Sequence, residues 1–382
     1  MNNVIAWCCA FSPVGKAKAT NLLGVISVVA LSLLATGCGQ TPAASFRLNL
    51  VESSKQQLTT SQEQQVATIL AALFGTPDEP RVPPEINLDV AKLKLAAGPV
   101  RSDIVGRKNG LYREHCAHCH GVTGDGMGPT AAFLNPYPRD YRPGVFKFKS
   151  TERADKPTHP DLVMVLRNGL AGSSMPSFAL LSDAKIDALA EYVKYLSIRG
   201  EVELSLMRAY FELDDEDEGV LPQSREFLFE EIIDPVTEMW AAADDAIIDV
   251  PDMPADLDMV ASIAKGKELF YGNKANCVKC HGVSGLGDGQ ANDYDDWNKV
   301  VLQAQKTVDG GVKQAEKTST WDMSAEERDE HRIELAWLDR FETVLDGNAL
   351  RPRMIRPRNL RQGVYRGGMR PLDLYARIPA GI

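Results

Sequence analysis

Apolar side chains recur at helical spacing along much of the chain, and no stretch shows the strict alternation that is typical of a strand. A helix is predicted over residues 61–74 and ends at Gly75. A longer helix is predicted from Ser182, a good N-cap residue, to Ser197, with Gly200 as its stop. These patterns predict a mainly α protein with long loops.

The N-terminal part of the chain has a different pattern. Lys16 and Lys18 precede an apolar run from Leu22 to Ala35. This run has 14 residues, fewer than the roughly 20 that cross a bilayer as a helix. A basic stretch, a short apolar stretch and then small residues are typical of a secretory signal. Residues 1–37 are therefore predicted to be a signal peptide that directs export to the periplasmic side of a bacterial membrane.

Cys38 directly follows small residues, and this arrangement resembles a bacterial lipobox, in which the cysteine is acylated. Ala35 stands where lipoboxes prefer Leu. The resemblance implies that Cys38 is a lipid-attachment site and that a lipid anchor holds the exported chain on the membrane. An ordinary cleaved signal and an uncleaved anchor stay open as alternatives.

The body of the chain contains an internal repeat. The motif Cys-x-x-Cys-His occurs twice, at Cys116, Cys119 and His120 and again at Cys277, Cys280 and His281. A Gly-rich loop follows each motif. A segment of helical pattern precedes each motif, with Ile104, Val105, Leu111 and Tyr112 in the first copy and Ile263, Leu269 and Phe270 in the second. The segment around Arg139 is matched by the segment around Arg358. The copies differ by an insertion at about 290–353.

The repeat divides the chain into five predicted parts. These are a signal peptide at 1–37, a tether with one helix at 38–99, a first domain at 100–199, an acidic and partly helical linker at 200–258, and a second domain at 259–382. The charged run in the linker is typical of a solvated segment. Within the insertion, helices are predicted at about 296–308 and 324–345.

Cys-x-x-Cys-His is the signature of c-type haem attachment. Its spacing lets both thiols reach one porphyrin edge from a single helical turn, and the adjacent imidazole then faces the iron. A zinc site, a redox dithiol and a structural disulfide are the alternatives. Zinc would pair the two Cys motifs, but Cys277 lies 158 positions after Cys119. The motifs predict two covalently bound haem c groups on the four cysteines, with His120 and His281 as axial iron ligands.

Met175 is the candidate sixth ligand of the first iron. It lies 55 residues after His120, on a stretch of small residues. A thioether suits haem iron, and His/Met ligation raises the reduction potential. The alternative is a core methionine, because Met often fills gaps in cores. His115, His118 and His159 could compete, and each is expected to be a surface or loop histidine.

The order of helix, motif, Gly-rich loop, Met on a loop and closing helix resembles the class I-like cytochrome c domain. It is similar to the small cytochrome domains of bacterial diheme electron carriers and oxidase-linked subunits. The resemblance covers residues 100–199 fully and 259–382 in part. It implies electron transfer without catalytic residues, and it implies a redox protein donor and acceptor, with a membrane oxidase or dehydrogenase as candidates.

Charge is unevenly distributed along the chain. Seven arginines and no acidic residue lie within 351–370. Because Arg pairs with carboxylates in bidentate fashion, Arg139 and Arg358 are candidate contacts of haem propionates. The alternative is that these arginines neutralise the acidic insertion. The whole chain has a formal net charge of −10, which argues against nucleic-acid binding.

The favoured function is a diheme c-type cytochrome that transfers electrons between redox partners in the periplasm or at the membrane surface. An electron carrier is favoured over a stand-alone enzyme, but a diheme peroxidase stays open. A peroxidase needs one haem with an open sixth position, and Met175 argues against the first haem in that role. A haem-based sensing or structural module is the third class of function. The sequence has no recognisable signalling domain, which argues against this class.

The second copy is expected to be incomplete at residue 382. Aligning Asp161 with Asp373 places the counterpart of Met175 near position 387, past Ile382. The counterpart of the helix that begins at Ser182 would also lie beyond that point. The rival explanation is a second haem with an open or unusual sixth position.

Overall fold

The computed structural model describes residues 43–210, 213, 219–290, 293, 294, 296–321 and 323–380. The predicted signal peptide and the predicted lipid attachment at Cys38 lie outside the described residues. The same is true of most of the acidic run in the predicted linker, at residues 212 and 214–218. The described residues from Ala44 onward form one structural unit.

The protein is mainly α, as predicted. In chain order the helices are α1 (Leu50–Lys55), α2 (Thr60–Phe74), α3 (Val90–Ala96), α4 (Leu111–His115), α5 (Ala117–His120), α6 (His159–Asn168), α7 (Asp183–Ala209), α8 (Asp234–Ala241), α9 (Met259–Tyr271), α10 (Val278–His281), α11 (Asp296–Lys317), α12 (Ala325–Asn348) and α13 (Pro371–Ala380). A π-helical segment, Phe227–Ile233, precedes α8. Among the described residues, no helix has the length and apolarity needed to cross a membrane.

Strands are few and short in the described residues. They form two antiparallel pairs, β1 (Arg101–Ser102) with β2 (Lys108–Asn109), and β3 (Asp293–Tyr294) with β4 (Met354–Ile355). In the second pair Asp293 lies opposite Ile355, so the two ends of the predicted insertion are brought together.

The long helix α7 is the centre of the larger hydrophobic core. It packs against α2, α3 and α6, and Ile186 on its predicted apolar face is fully buried. Helix α2 begins with a capping box between Thr59 and Gln62. It buries Leu70 and Phe74 in the same core. Burial of each such side chain contributes roughly 1.5–3 kcal/mol, so the apolar spacing placed both helices correctly.

The segment 38–99 differs from the predicted tether with one helix. Its described part carries three helices, and Leu93 of α3 is fully buried in the core around α7. The carboxylate of Asp89 caps α3 by accepting hydrogen bonds from the N–H groups of Ala91 and Lys92. Helices α1 and α3 have only six and seven residues, which is too short for an apolar period to stand out in the sequence.

Two predicted helix features are also wrong. Ile104 and Val105 lie between β1 and β2 and are exposed rather than on a helix. Leu111 and Tyr112 of the same predicted segment do lie on a helix, α4, and are buried. Helix α7 does not end at Gly200 but continues to Ala209. Gly200 lets the helix backbone pack closely against Arg142, because a Cβ at position 200 would lie 2.3 Å from the Cα of Arg142.

The described part of the predicted linker packs on the same core. Ile233, in the π-helical segment, and Trp240, in α8, are buried in it. The core of the first copy therefore includes chain on both sides of residues 100–199. The domain boundaries themselves stay predictions.

Helices α11 and α12 occupy the predicted insertion and pack against each other. Phe341 is fully buried in a small second core that α11 and α12 share with α1. The indole N–H of Trp337 donates to the carbonyl of Ser54 at 2.7 Å. Arg340 forms an ion pair with Glu63 at 2.7 Å. The insertion thus rests on the N-terminal helices of the first copy.

We expect Gly200→Ala to lower the thermal unfolding midpoint, measured by circular dichroism. Ala usually stabilises a helix interior by up to about 1 kcal/mol over Gly. At Gly200 the new Cβ would meet the backbone of Arg142, and overpacking costs roughly 1–3 kcal/mol. Gly310→Ala in α11 is the matched control, because no atom lies within 4 Å of its added Cβ. The same midpoint for both variants would contradict the packing role.

Candidate functional site

The first Cys-x-x-Cys-His motif lies where two short helices meet. Gly110 precedes α4 in a left-handed conformation with φ of 76°, and Cys116 separates α4 from α5. The N–H groups of Cys119 and His120 both donate to the carbonyl of Cys116, at 3.0 and 2.9 Å. The three side chains therefore leave a single helical turn. Both thiols are free.

Burial sets the protonation state of this motif. It raises the pKa of the Cys116 thiol to about 12, so the thiol is neutral at neutral pH and does not suit a thiolate zinc ligand. Burial also lowers the pKa of His120 to about 4, because it penalises the charged imidazolium. A neutral imidazole is the form that can bind a metal.

The imidazole of His120 is held in one orientation. Its Nδ1 donates to the backbone carbonyl of Arg139 at 3.0 Å, which leaves Nε2 as the proton-free nitrogen. The ring of Tyr141 stacks on the imidazole with ring centroids 4.7 Å apart and an angle of 17°. The imidazole of His120 thus presents a proton-free Nε2 in one fixed direction.

The Gly-rich loop brings the Arg139 segment against the motif. Gly126 has a φ of 73°, and a Cβ there would lie 2.8 Å from the carbonyl of Pro138. The N–H of Tyr141 donates to the carbonyl of Gly124 at 2.8 Å. A side chain at position 126 would push these segments apart, so glycine is needed for the contact with His120.

The second copy builds the same arrangement. Nδ1 of His281 donates to the carbonyl of Arg358 at 3.0 Å, and the N–H of Leu360 donates to the carbonyl of Gly285 at 2.8 Å. The histidine and its acceptor are 19 residues apart in the first copy and 77 in the second. The longer chain between them leaves this geometry unchanged.

The two motifs differ in how deeply they are buried. His120 is 9% exposed, whereas His281 is half-buried. Helix α9, before the second motif, has no buried residue, and its Val260 and Ile263 are exposed. Leu360 takes the place that Tyr141 has in the first copy, so no aromatic ring from that position stacks on His281.

Met175 lies on the loop between α6 and α7, as predicted from the small residues around it. It is half-buried and packs against the core. Its backbone N–H donates to the hydroxyl of Ser173 at 3.2 Å. Its carbonyl accepts from the N–H of Leu170 at 3.1 Å. These two bonds tie Met175 to its neighbours in the loop. Ligation by Met175 stays a prediction.

The two candidate propionate contacts have different surroundings. The guanidinium of Arg139 donates to the carbonyl of Val145, in its own copy, at 2.7 Å. The guanidinium of Arg358 donates to the carbonyl of Gly172, in the first copy, at 3.0 Å. The propionate roles of Arg139 and Arg358 stay predictions.

The competing histidines occupy different positions. His118 is exposed. His115 is half-buried, and its ring centroid lies 5.9 Å from that of Phe178. His159 bonds Asp187 at 2.5 Å, on α7. His118 is thus a surface histidine, as expected, whereas His115 and His159 are half-buried residues of the helices α4 and α6 rather than surface or loop residues.

Sequence reasoning missed two tyrosines that support the first motif. Tyr112 is 1% exposed, and its hydroxyl donates to the carbonyl of Gly121 at 2.9 Å. Tyr141 stacks on His120. The internal repeat gave no signal for Tyr141, because the second copy has Leu360 at the matching position.

Two parts of the chain match known family models. Residues 106–193 match the model described as cytochrome c oxidase, cbb3-type, subunit III. Residues 263–332 match the model described as cytochrome c. No curated protein matches the chain.

A solved structure is also similar to the chain. It comes from the Kuenenia stuttgartiensis reducing HAO-like protein complex, with 21% sequence identity and a TM-score of 0.38. The match covers 70% of this chain and 79% of that one.

The chain therefore contains two cytochrome c-type domains in tandem. Domains of this type imply covalently bound haem c and haem-based electron transfer. The side chains fit such a group: in the first copy two free thiols and a neutral imidazole leave one helical turn. The second copy repeats the orientation of its histidine.

We expect Tyr112→Phe to lower the urea midpoint of unfolding, with a cost of about 1–3 kcal/mol. The substitution leaves the buried carbonyl of Gly121 without its donor. Tyr271→Phe is the matched control, because the Tyr271 hydroxyl donates to Val283 at 2.7 Å but the residue is 46% exposed. Water can replace that donor, so the control should change the midpoint little. A larger loss for Tyr271→Phe would be evidence against this view of the first motif.

Proposed function

We propose that the protein is a diheme c-type cytochrome that passes electrons between redox partner proteins. The observation that carries this proposal is the repeated histidine geometry. In both copies Nδ1 donates to a backbone carbonyl at 3.0 Å, which leaves Nε2 for iron. An orienting hydrogen bond on the other ring nitrogen is typical of metal-bound histidines.

Cys116 and Cys119 would hold the first haem, with His120 on its iron. Cys280 and its partner Cys277 would hold the second, with His281 on its iron. Bound haem supplies a one-electron iron couple whose potential depends on axial ligands, burial and nearby hydrogen bonds. This chain's own residues set those variables, and His120 is more buried than His281. The two haems are therefore proposed to have different environments.

Met175 is the proposed sixth ligand of the first iron. Its place on the loop between α6 and α7 supports this role, because the loop follows the first motif in the same domain. A soft thioether favours the reduced iron and raises the potential. The first haem is accordingly proposed to be the one of higher potential.

The protein is proposed to work outside the cytoplasm. The basic and apolar pattern of residues 1–37 supports export, and the small residues before Cys38 support a lipid anchor on the periplasmic side of the membrane. The match of residues 106–193 to a subunit of a cbb3-type oxidase supports a membrane oxidase as one candidate redox partner.

We expect two covalent haem additions in the mass spectrum of intact protein matured in a host that attaches haem c. Thioether bonds survive acid-acetone extraction, so both additions should persist. Replacing Cys277 and Cys280 together by Ala should remove one addition, and replacing Cys116 and Cys119 should remove the other. One addition or none in the fully matured wild type would refute the diheme proposal.

We expect Met175→His to lower the potential of one haem, because imidazole favours the reduced iron less than a thioether does. A spectroelectrochemical titration measures the change. Met354→His is the matched control, since Met354 is 56% exposed in β4 and lies outside the loop. An identical titration for Met175→His and wild type would remove Met175 from the site.

We expect Cys38→Ala to move the protein from the membrane fraction to the soluble periplasmic fraction, because the acylated thiol would be lost. Cys8→Ala is the matched control, since Cys8 lies in the segment predicted to be removed. Immunoblots of the two fractions provide the measurement. Retention of Cys38→Ala on the membrane would place the tether elsewhere.

A further inference from the structure

Arg358 makes contacts in both copies of the repeat. Its backbone carbonyl accepts the hydrogen bond from Nδ1 of His281, at the second motif. Its guanidinium reaches the first copy, where Nη2 donates to the carbonyls of Gly172 and Ala171 at 3.0 and 3.5 Å. The same residue therefore touches the iron-ligand histidine of one copy and the Met175 loop of the other.

The matching residue of the first copy behaves differently. Arg139 also accepts the histidine hydrogen bond on its backbone carbonyl. Its guanidinium, however, donates to Val145 within its own copy. The backbone role is thus common to both copies, and Arg358 adds a contact with the Met175 loop.

The contact with the Met175 loop is close. Gly172 has a φ of 67°, and a Cβ there would lie 2.1 Å from Nη1 of Arg358. The space that a side chain at position 172 would need is therefore taken by the guanidinium. Gly172 lies three residues before Met175 and next to Ser173, whose hydroxyl accepts from the N–H of Met175. A displacement of Gly172 would therefore also move Ser173 and, through its hydrogen bond, Met175.

Further contacts hold the chain near Arg358 against the first copy. The guanidinium of Arg353 donates to the carbonyls of Ala132 and Leu134 at 2.6 and 3.1 Å. The hydroxyl of Tyr137 donates to the carbonyl of Arg351 at 3.0 Å. These contacts fix the backbone from which Arg358 extends, so its guanidinium is presented to the loop by an anchored segment.

We propose that Arg358 is a positioning residue that holds the Met175 loop of the first haem site from the second copy. This inference rests on the proposed ligation of the first iron by Met175. A charged guanidinium gives stronger hydrogen bonds to carbonyls than a neutral donor does. Its loss would favour conformations in which the loop swings away and Met175 leaves the iron.

Imidazole is a suitable probe of this loop, because it binds ferric haem where the thioether has left. A ligand that needs a minor conformation binds more tightly when that conformation becomes more populated. We expect Arg358→Ala to bind imidazole about tenfold more tightly than wild type, the effect of losing one charge-assisted hydrogen bond. The readout is the loss of the thioether-to-iron absorption band of the ferric holoprotein during titration.

Two other variants at this position sharpen the test. Arg361→Ala is the matched control, since Arg361 is exposed and lies three residues away on the same segment. It should titrate like wild type. Arg358→Lys keeps a cationic donor and should recover part of the wild-type affinity for imidazole, which a purely structural role of the residue would not produce. If Arg358→Ala does not fold, the comparison of Arg358→Lys with wild type still provides the test.

Gly172→Ala probes the contact from the other side. The new Cβ would displace the guanidinium of Arg358, so this variant should also bind imidazole more tightly. In the Arg358→Ala background the same substitution should have a smaller effect, because the contact is already lost. Full additivity of the two changes would overturn the proposed contact.

The outcomes separate this inference from the proposed function. A wild type with the thioether band and an Arg358→Ala variant with unchanged imidazole affinity overturn the role of Arg358 alone. A wild type without the band overturns ligation by Met175 and this inference together, while two covalent haems would still support the diheme proposal. A change confined to the second haem would instead assign Arg358 to that haem's propionates.

Discussion

An imidazole can bind haem iron only when one of its nitrogens is free of a proton and held in one direction. In both copies a hydrogen bond from Nδ1 to a backbone carbonyl meets this requirement, through Arg139 for His120 and Arg358 for His281. The carbonyl comes from a segment 19 residues further along the chain in the first copy and 77 in the second. Glycine in the Gly-rich loop leaves room for that segment, because a Cβ at Gly126 would collide with it.

The two copies satisfy this constraint with different amounts of protein around them. The hydrophobic core of the first copy contains residues of α2, α3 and α8 as well as residues of its own helices. The second is more open, and α9 has no buried residue. Its insertion packs on α1 through Phe341, and its Arg353 bonds the first copy. The second site therefore depends on the first copy for much of its support.

The motifs, the mainly α fold and the long helices were predictable, because each leaves a local signal in the sequence. The repeat also predicted that Arg139 and Arg358 are equivalent, and their carbonyls accept the same hydrogen bond. Short helices such as α3, and the continuation of α7 past Gly200, were not predictable, because packing against distant chain decides them. The contact between Arg358 and Gly172 joins residues 186 positions apart, so no local pattern marks it.

We propose that one chain holds two haem sites of different environment within one connected structure. A potentiometric titration of the intact holoprotein, followed by haem absorption and by coulometry, tests it most directly. We expect two electrons per chain, with the two haems titrating at separate potentials and the thioether band belonging to the haem of higher potential. A single one-electron transition in fully matured protein, or two haems of identical potential and spectrum, would contradict it.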